Sequence, residues 1–118
     1  MNRVLRQLLS DLPTFSAAGG LRLRSYQAEA AAAILRSILA QRGDTLVVMF
    51  PRQSGKNELQ AQLEAYLLLL FSNTDVEMVK VSPTWKPQSL NAQRRLQRVL
   101  ERHPLTAANG WHKDSGYL

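Results

Sequence analysis

Residues 45–58 read Thr45-Leu-Val-Val-Met-Phe50-Pro51-Arg-Gln-Ser54-Gly55-Lys56-Asn57-Glu58. The apolar run that opens this stretch is typical of a strand covered on both faces of a sheet. Pro51 cannot donate a ladder hydrogen bond, so we expect the strand to end there. A polar loop ending in Gly55 and Lys56 follows and opens a helix. Its backbone N–H groups, the lysine charge and the helix N-terminus are together expected to bind an anion.

The loop matches the phosphate-binding signature G-x-x-x-x-G-K-[ST] only in part. Phe50 stands at the position of the first Gly, and Asn57 at that of the Ser or Thr. Two interpretations are open here: a nucleotide phosphate site, or an ordinary β-turn-α connection with a solvated lysine. The strand before the loop and the long amphipathic helix after it favour the first. Asn57 is the candidate Mg²⁺ ligand through its amide oxygen.

Further elements are predicted on both sides of the loop. Hydrophobic periodicity predicts three long helices, over 27–41, 57–71 and 88–102, and a second strand over 76–81. A shorter helix is predicted over 2–12, ended by Pro13 and followed by a connector over 13–25. Strand, helix and strand in succession imply a right-handed parallel crossover. The predicted fold class is therefore α/β, a partial P-loop NTPase with a parallel sheet and flanking helices.

Three stretches resemble one protein family. The run Pro51-Arg-Gln-Ser-Gly-Lys-Asn-Glu58 resembles the variant Walker A loop of viral terminase large subunits, the DNA-packaging ATPases of tailed phages. Leu23-Arg-Ser-Tyr-Gln27 is similar to the adenine-contacting glutamine motif that terminases share with superfamily-two helicases. Val79-Lys-Val-Ser-Pro-Thr84 resembles the segment after the second strand in both groups. The similarity covers about residues 21–105.

The resemblance implies ATP and Mg²⁺ as cofactors. Lys56 and Arg52 would act on the transferring phosphate, Asn57 would lie near the metal, and Gln27 would contact adenine. The implied nucleotide-binding residues are Gln27, Pro51, Arg52, Gln53, Ser54, Gly55, Lys56 and Asn57. Without the resemblance, Gln27 would be interpreted as a solvated residue of the first helical turn.

The carboxylates that phosphoryl transfer needs are not found where they are expected. No apolar strand ends in Asp followed by Glu, and Asp75 and Glu77 lie at the wrong end of the second strand.

The chain is expected to divide into two parts. We expect residues 1–20 to form an N-terminal helix and linker. Residues 21–118 would form the N-terminal portion of a P-loop ATPase domain, truncated before the acidic (Walker B) strand. Such a fragment would not hydrolyse ATP alone.

The charge balance favours a polyanionic partner. Fifteen Lys and Arg against nine Asp and Glu give a net charge of +6. Four arginines in the helix over 88–102 are spaced to contact successive phosphates, or to lie in solvent: Arg94, Arg95, Arg98 and Arg102. The resemblance implies double-stranded DNA and other terminase or portal subunits as partners.

The amino-acid composition limits which other classes of protein the chain could belong to. The chain has no cysteine, which excludes a disulfide framework and cysteine-ligated zinc. Its longest apolar run, residues 65–71, is too short to span a bilayer, so no membrane partner is expected. We expect a cytoplasmic protein, in the host cytoplasm if the chain is viral.

Three function hypotheses follow. The first is the N-terminal fragment of a terminase-like large subunit, the ATP-binding part of a viral DNA-packaging motor. The second is a superfamily-two helicase-like translocase fragment. The third is a non-catalytic basic nucleic-acid interaction module. Nucleotide binding separates the third from the other two.

Overall fold

The computed structural model describes residues 11–51, 55–71, 76–81, 88 and 90–107. These residues form five helices, namely α1 Leu12–Ala18, α2 Ser25–Leu39, α3 Lys56–Leu70, α4 Leu90–Arg102 and α5 Pro104–Ala107. Helix α3 is central, because it packs against α1, α2 and α4. The described part of the chain is therefore all-helical.

The predicted α/β fold is wrong, since the described residues contain no strand and no sheet. Residues 45–50 have no regular secondary structure, and Val47 and Met49 are 83% and 86% exposed. Residues 76–81 are also irregular, with Val79 and Val81 80% and 87% exposed. Apolar and β-branched residues favour a strand only where a neighbouring strand pairs with their backbone groups. Neither segment has such a partner among the described residues, so the parallel crossover and the partial P-loop sheet are both corrected.

The three long helices predicted from periodicity are confirmed. They lie at Ser25–Leu39, Lys56–Leu70 and Leu90–Arg102, within about two residues of the predicted limits. Their inward faces form the core together with α1, through Leu12, Phe15, Ala31, Leu35, Leu59, Ala61, Leu63, Ala65, Tyr66, Leu96, Val99 and Leu100. Helix–helix packing thus buries the apolar surface that the sequence analysis assigned to a sheet.

Helix α1 occupies part of the predicted connector. Pro13 lies in its first turn, where a missing N–H costs nothing, and therefore does not end a helix. Asp11 caps this turn, because its Oδ1 accepts a hydrogen bond from the backbone N–H of Thr14 at 2.7 Å. The helix predicted over 2–12 lies, apart from its last two residues, outside the described residues.

Phe15 is the most enclosed aromatic residue of the described core, with a relative exposure of 0%. Its ring meets the Tyr66 ring edge to face at a centroid distance of 5.3 Å. On its other side it stacks on the His103 ring at 3.9 Å. Phe15 therefore joins α1 to α3 and to the junction of α4 and α5.

No helix among the described residues has both the length and the apolar character needed to cross a bilayer.

Candidate nucleotide-binding site

The loop predicted to bind phosphate meets α3 at Gly55. Gly55 has φ 83° and ψ 20°, in the left-handed region that favours glycine. A Cβ at this position would also clash with Nε2 of Gln27. The backbone conformation therefore favours glycine here, and any larger residue would also displace the Gln27 amide.

Lys56 is the first residue of α3 and its side chain is exposed. The N–H groups of the first helical turn have no acceptor within the helix, and the helix dipole places positive potential at the same end. The ammonium group and these N–H groups can contact one anion. This is the chemistry that the sequence predicts for the loop.

Gln27 joins the start of α2 to the start of α3. Its Nε2 donates to the carbonyl oxygen of Gly55 at 2.9 Å, and its Oε1 accepts from the backbone N–H of Arg24 at 2.9 Å. The residue is buried, with 6% exposure. The structure thus brings together two of the stretches that resemble nucleotide-binding motifs. In this arrangement the Gln27 amide positions the loop, and its contact with adenine stays a prediction.

An aromatic pair that the sequence analysis did not identify lies beside this junction. The rings of Tyr26 and Phe50 meet edge to face at a centroid distance of 5.3 Å. The Tyr26 hydroxyl accepts a hydrogen bond from Nη1 of Arg24 at 2.9 Å. Phe50 is thereby held against the residue before Gln27, just ahead of the loop. An aromatic residue at the first-Gly position of the signature was the available signal.

The remaining residues predicted to bind nucleotide contribute less to the described part of the site. Pro51 and Asn57 are exposed, while Arg52, Gln53 and Ser54 lie outside the described residues. No group of three or more His, Asp or Glu that could hold a metal ion occurs in the described ranges. Asn57 alone offers one neutral oxygen, so Mg²⁺ would need nucleotide phosphates and water as its other ligands.

The arginines of α4 do not form one uniform face. Arg94, Arg98 and Arg102 are exposed. Arg95 is partly buried, and its Nη1 lies 3.1 Å from Oε2 of Glu58 in the first turn of α3. Arg95 therefore ties α4 to the start of α3. The predicted nucleic-acid contacts of all four arginines stay predictions.

His103 is a buried residue with both ring nitrogens in use. Its Nε2 donates to the carbonyl oxygen of Phe15 at 2.6 Å, and its Nδ1 accepts from the backbone N–H of Leu105 at 3.2 Å. A ring that donates at one nitrogen and accepts at the other is neutral. Burial lowers the pKa of His103 from its usual 6.5, and the hydrogen bond to Phe15 opposes this only in part.

This environment predicts a loss of stability in mild acid. Because the folded pKa of His103 is lowered, the unfolded chain binds more protons below pH 6.5. The contribution of His103 to stability is full above pH 6.5 and is lost as the pH falls through the folded pKa. Urea unfolding at several values between about pH 7.5 and about pH 5 should show the parent losing stability relative to His103→Leu as the pH falls.

A His112→Gln variant is the control, since it removes the other histidine of the chain. It should keep the decline seen in the parent protein. A pH profile of His103→Leu that parallels the parent would contradict the assignment of a neutral His103.

Comparisons with protein-family models, with curated proteins and with solved structures found no match to this chain.

Proposed function

We propose that this chain binds ATP at the junction of the loop and α3, as the nucleotide-binding part of a terminase-like DNA-packaging motor. The observation that supports this most is the 2.9 Å hydrogen bond from Gln27 to Gly55, which joins positions 28 residues apart. Both positions belong to stretches that resemble nucleotide-binding motifs. The contact ties the start of α2 to the loop that precedes α3.

The proposal assigns a role to each described part of the junction. Gly55 lets the backbone approach a phosphate closely, and Gln27 holds the carbonyl of that glycine in place. Lys56 places its ammonium group beside the terminal phosphates, and the first-turn N–H groups of α3 donate to their oxygens. This arrangement needs a fixed loop and a helix N-terminus, and none of its contacts involves a sheet.

Other roles are proposed from the resemblance alone. Arg52 would stabilise the transferring phosphate, and Asn57 would lie near Mg²⁺. Double-stranded DNA and further terminase or portal subunits would be the partners. Because no catalytic carboxylate is assigned, the proposal concerns nucleotide binding and not hydrolysis by these residues.

A non-catalytic basic module is the second candidate. The exposed positions of Arg94, Arg98 and Arg102 on α4 favour it, since an unneutralised basic face binds polyanions without any nucleotide. Nucleotide binding that depends on Lys56 distinguishes the two candidates.

Lys56→Ala is expected to weaken ATP binding by about 1.5–3 kcal/mol, the range for a hydrogen bond to a charged group. The terminal phosphates would then be held by backbone donors alone. Isothermal titration calorimetry with ATP measures the change directly. The matched control is Arg36→Ala, which removes an exposed cation from the last turn of α2. Equal ATP affinity of Lys56→Ala and the control would refute the assignment.

A further inference from the structure

A cavity of about 130 Å³ lies between the turn after α1 and the facing sides of α3 and α4. This is well above the roughly 10–15 Å³ that one enclosed water needs, so there is room for several waters or for one tetrahedral oxyanion. Pockets that hold a whole drug-sized ligand are roughly 300–1,000 Å³. The cavity therefore fits a single chemical group better than a complete nucleotide.

The lining of the cavity is basic. Arg95, Arg98 and Arg102 contribute from α4, and Glu58 is the acidic residue among the lining residues. Glu58 is already paired with Arg95 at 3.1 Å. Arg98 and Arg102 lie one helical turn apart and form no ion pair or hydrogen bond with any described residue. The cavity thus carries two positive charges that the described residues do not neutralise.

A buried neutral donor faces the same space. Gln62 of α3 lines the cavity and is 5% exposed. Its Oε1 accepts a hydrogen bond from the Ser16 hydroxyl at 2.9 Å. Its Nε2 forms no hydrogen bond with a described residue and is not among the fully enclosed unpartnered atoms, so it can exchange a water for an anion oxygen.

The wall opposite α4 is shaped by close packing at Gly19. A Cβ on Gly19 would lie 2.7 Å from Cδ2 of His103, so only glycine lets this turn approach the α4–α5 junction. His103 is neutral in this arrangement and adds no charge. The recognition chemistry is therefore two guanidinium groups and one amide around a space for one oxyanion.

We propose that this cavity binds a phosphate monoester group, with Arg98 and Arg102 supplying the charge and Gln62 the neutral donor. A monoester carries about −1.5 to −2 charges at neutral pH, which matches the two arginines that no described residue neutralises. Planar guanidinium groups can each donate two hydrogen bonds to phosphate oxygens. The group could belong to the 5′ end of a nucleic-acid strand or to a free mononucleotide. The proposal uses other residues than the ATP site and does not depend on it.

The test compares ligands with and without the monoester, in the Lys56→Ala background so that the loop site contributes little. One pair is a single-stranded oligonucleotide with a 5′-phosphate against the same strand with a 5′-hydroxyl, measured by fluorescence anisotropy. The other pair is AMP against adenosine, measured by calorimetry. We expect the phosphorylated member of at least one pair to bind about tenfold or more tightly.

Variants locate the binding. Arg98→Gln and Arg102→Gln should each reduce the preference for phosphate about tenfold or abolish it. Arg36→Gln is the control, since Arg36 is exposed on α2, loses the same charge and is neither on α4 nor among the cavity residues. It should keep the preference.

The pair that shows the preference identifies the source of the phosphate. A preference in the oligonucleotide pair alone indicates a strand end, and a preference in the AMP pair indicates a free phosphate ester. No preference in either pair would overturn the proposal. An equal loss in Arg36→Gln and in the two cavity variants would overturn it as well, because it would indicate diffuse attraction to the net positive charge of the chain.

Discussion

Replacing Phe15 with alanine is expected to lower the free energy of unfolding by about 3–5 kcal/mol. Phe15 has no exposed surface, and its ring packs between Tyr66 and His103 at 5.3 and 3.9 Å. Removal of the ring would leave a cavity among three helices. Small domains are stable by only about 5–15 kcal/mol, so the variant would lose a large share of its stability. Urea unfolding followed by circular dichroism measures the change.

Leu39→Ala is the control for this experiment. Leu39 is in the last turn of α2 and is 56% exposed, so its replacement should change stability by about 0.5 kcal/mol or less. If Phe15→Ala behaves like Leu39→Ala, α1 does not pack on the described core.

Replacing Lys80 with methionine is expected to cost about 2–3 kcal/mol at neutral pH. Nζ of Lys80 lies 2.6 and 2.9 Å from the two carboxylate oxygens of Glu64, which is mostly buried. Breaking a fully buried pair by removing one partner costs about 3–5 kcal/mol, and partial exposure of Lys80 reduces this. The pair also places Lys80 against α3, so the same variant should remove that contact.

The stability lost in Lys80→Met should depend on pH in a defined direction. Burial raises the pKa of Glu64 above its usual 4.5, because desolvation outweighs the attraction of Lys80. A raised folded pKa means that the unfolded chain loses its proton first, so stability falls as the pH rises from 4.5 through the folded pKa. Without Lys80 the pKa should rise further. The difference between Lys80→Met and the parent should therefore be small near pH 4 and full near pH 7.

Two further variants isolate the ion pair. The double variant Lys80→Met with Glu64→Gln should recover part of the stability, since no unpaired buried charge remains. Arg42→Met breaks the exposed pair of Arg42 with Asp44 and should cost about 0–1 kcal/mol. Equal effects of Lys80→Met and Arg42→Met would show that Glu64 is fully solvated in solution.

The helices could be predicted because their signals are local. The spacing of Leu59, Leu63 and Tyr66 predicts one buried face, and this face is in the core of the structure. A helix closes its hydrogen bonds within its own segment, so a short window of sequence contains most of what decides it. The predicted end of the N-terminal helix at Pro13 is wrong, because Asp11 and Pro13 lie at the start of a helix.

The candidate site could be predicted in part. The loop glycine, the lysine after it and Gln27 were identified from motif resemblance, and the structure places Gln27 against Gly55. The sequence could not predict that Tyr26 and Phe50 form a pair. It also could not predict that Gln62, Arg98 and Arg102 line one cavity. Tyr26 lies far from Phe50 in the chain, and Gln62 lies far from Arg98 and Arg102, so no periodicity or spacing relates the two parts of either set.

The sequence by itself determined the three long helices and the basic charge. Only the tertiary structure determined the conformation of residues 45–50 and 76–81. Both segments have strand-like composition but no strand partners among the described residues. The tertiary structure also decided that Arg95 pairs with Glu58 while Arg98 and Arg102 line a cavity. The physical reason is the same in both cases. A strand needs backbone partners and an ion pair needs two charged groups from different parts of the chain, and only packing determines which groups meet.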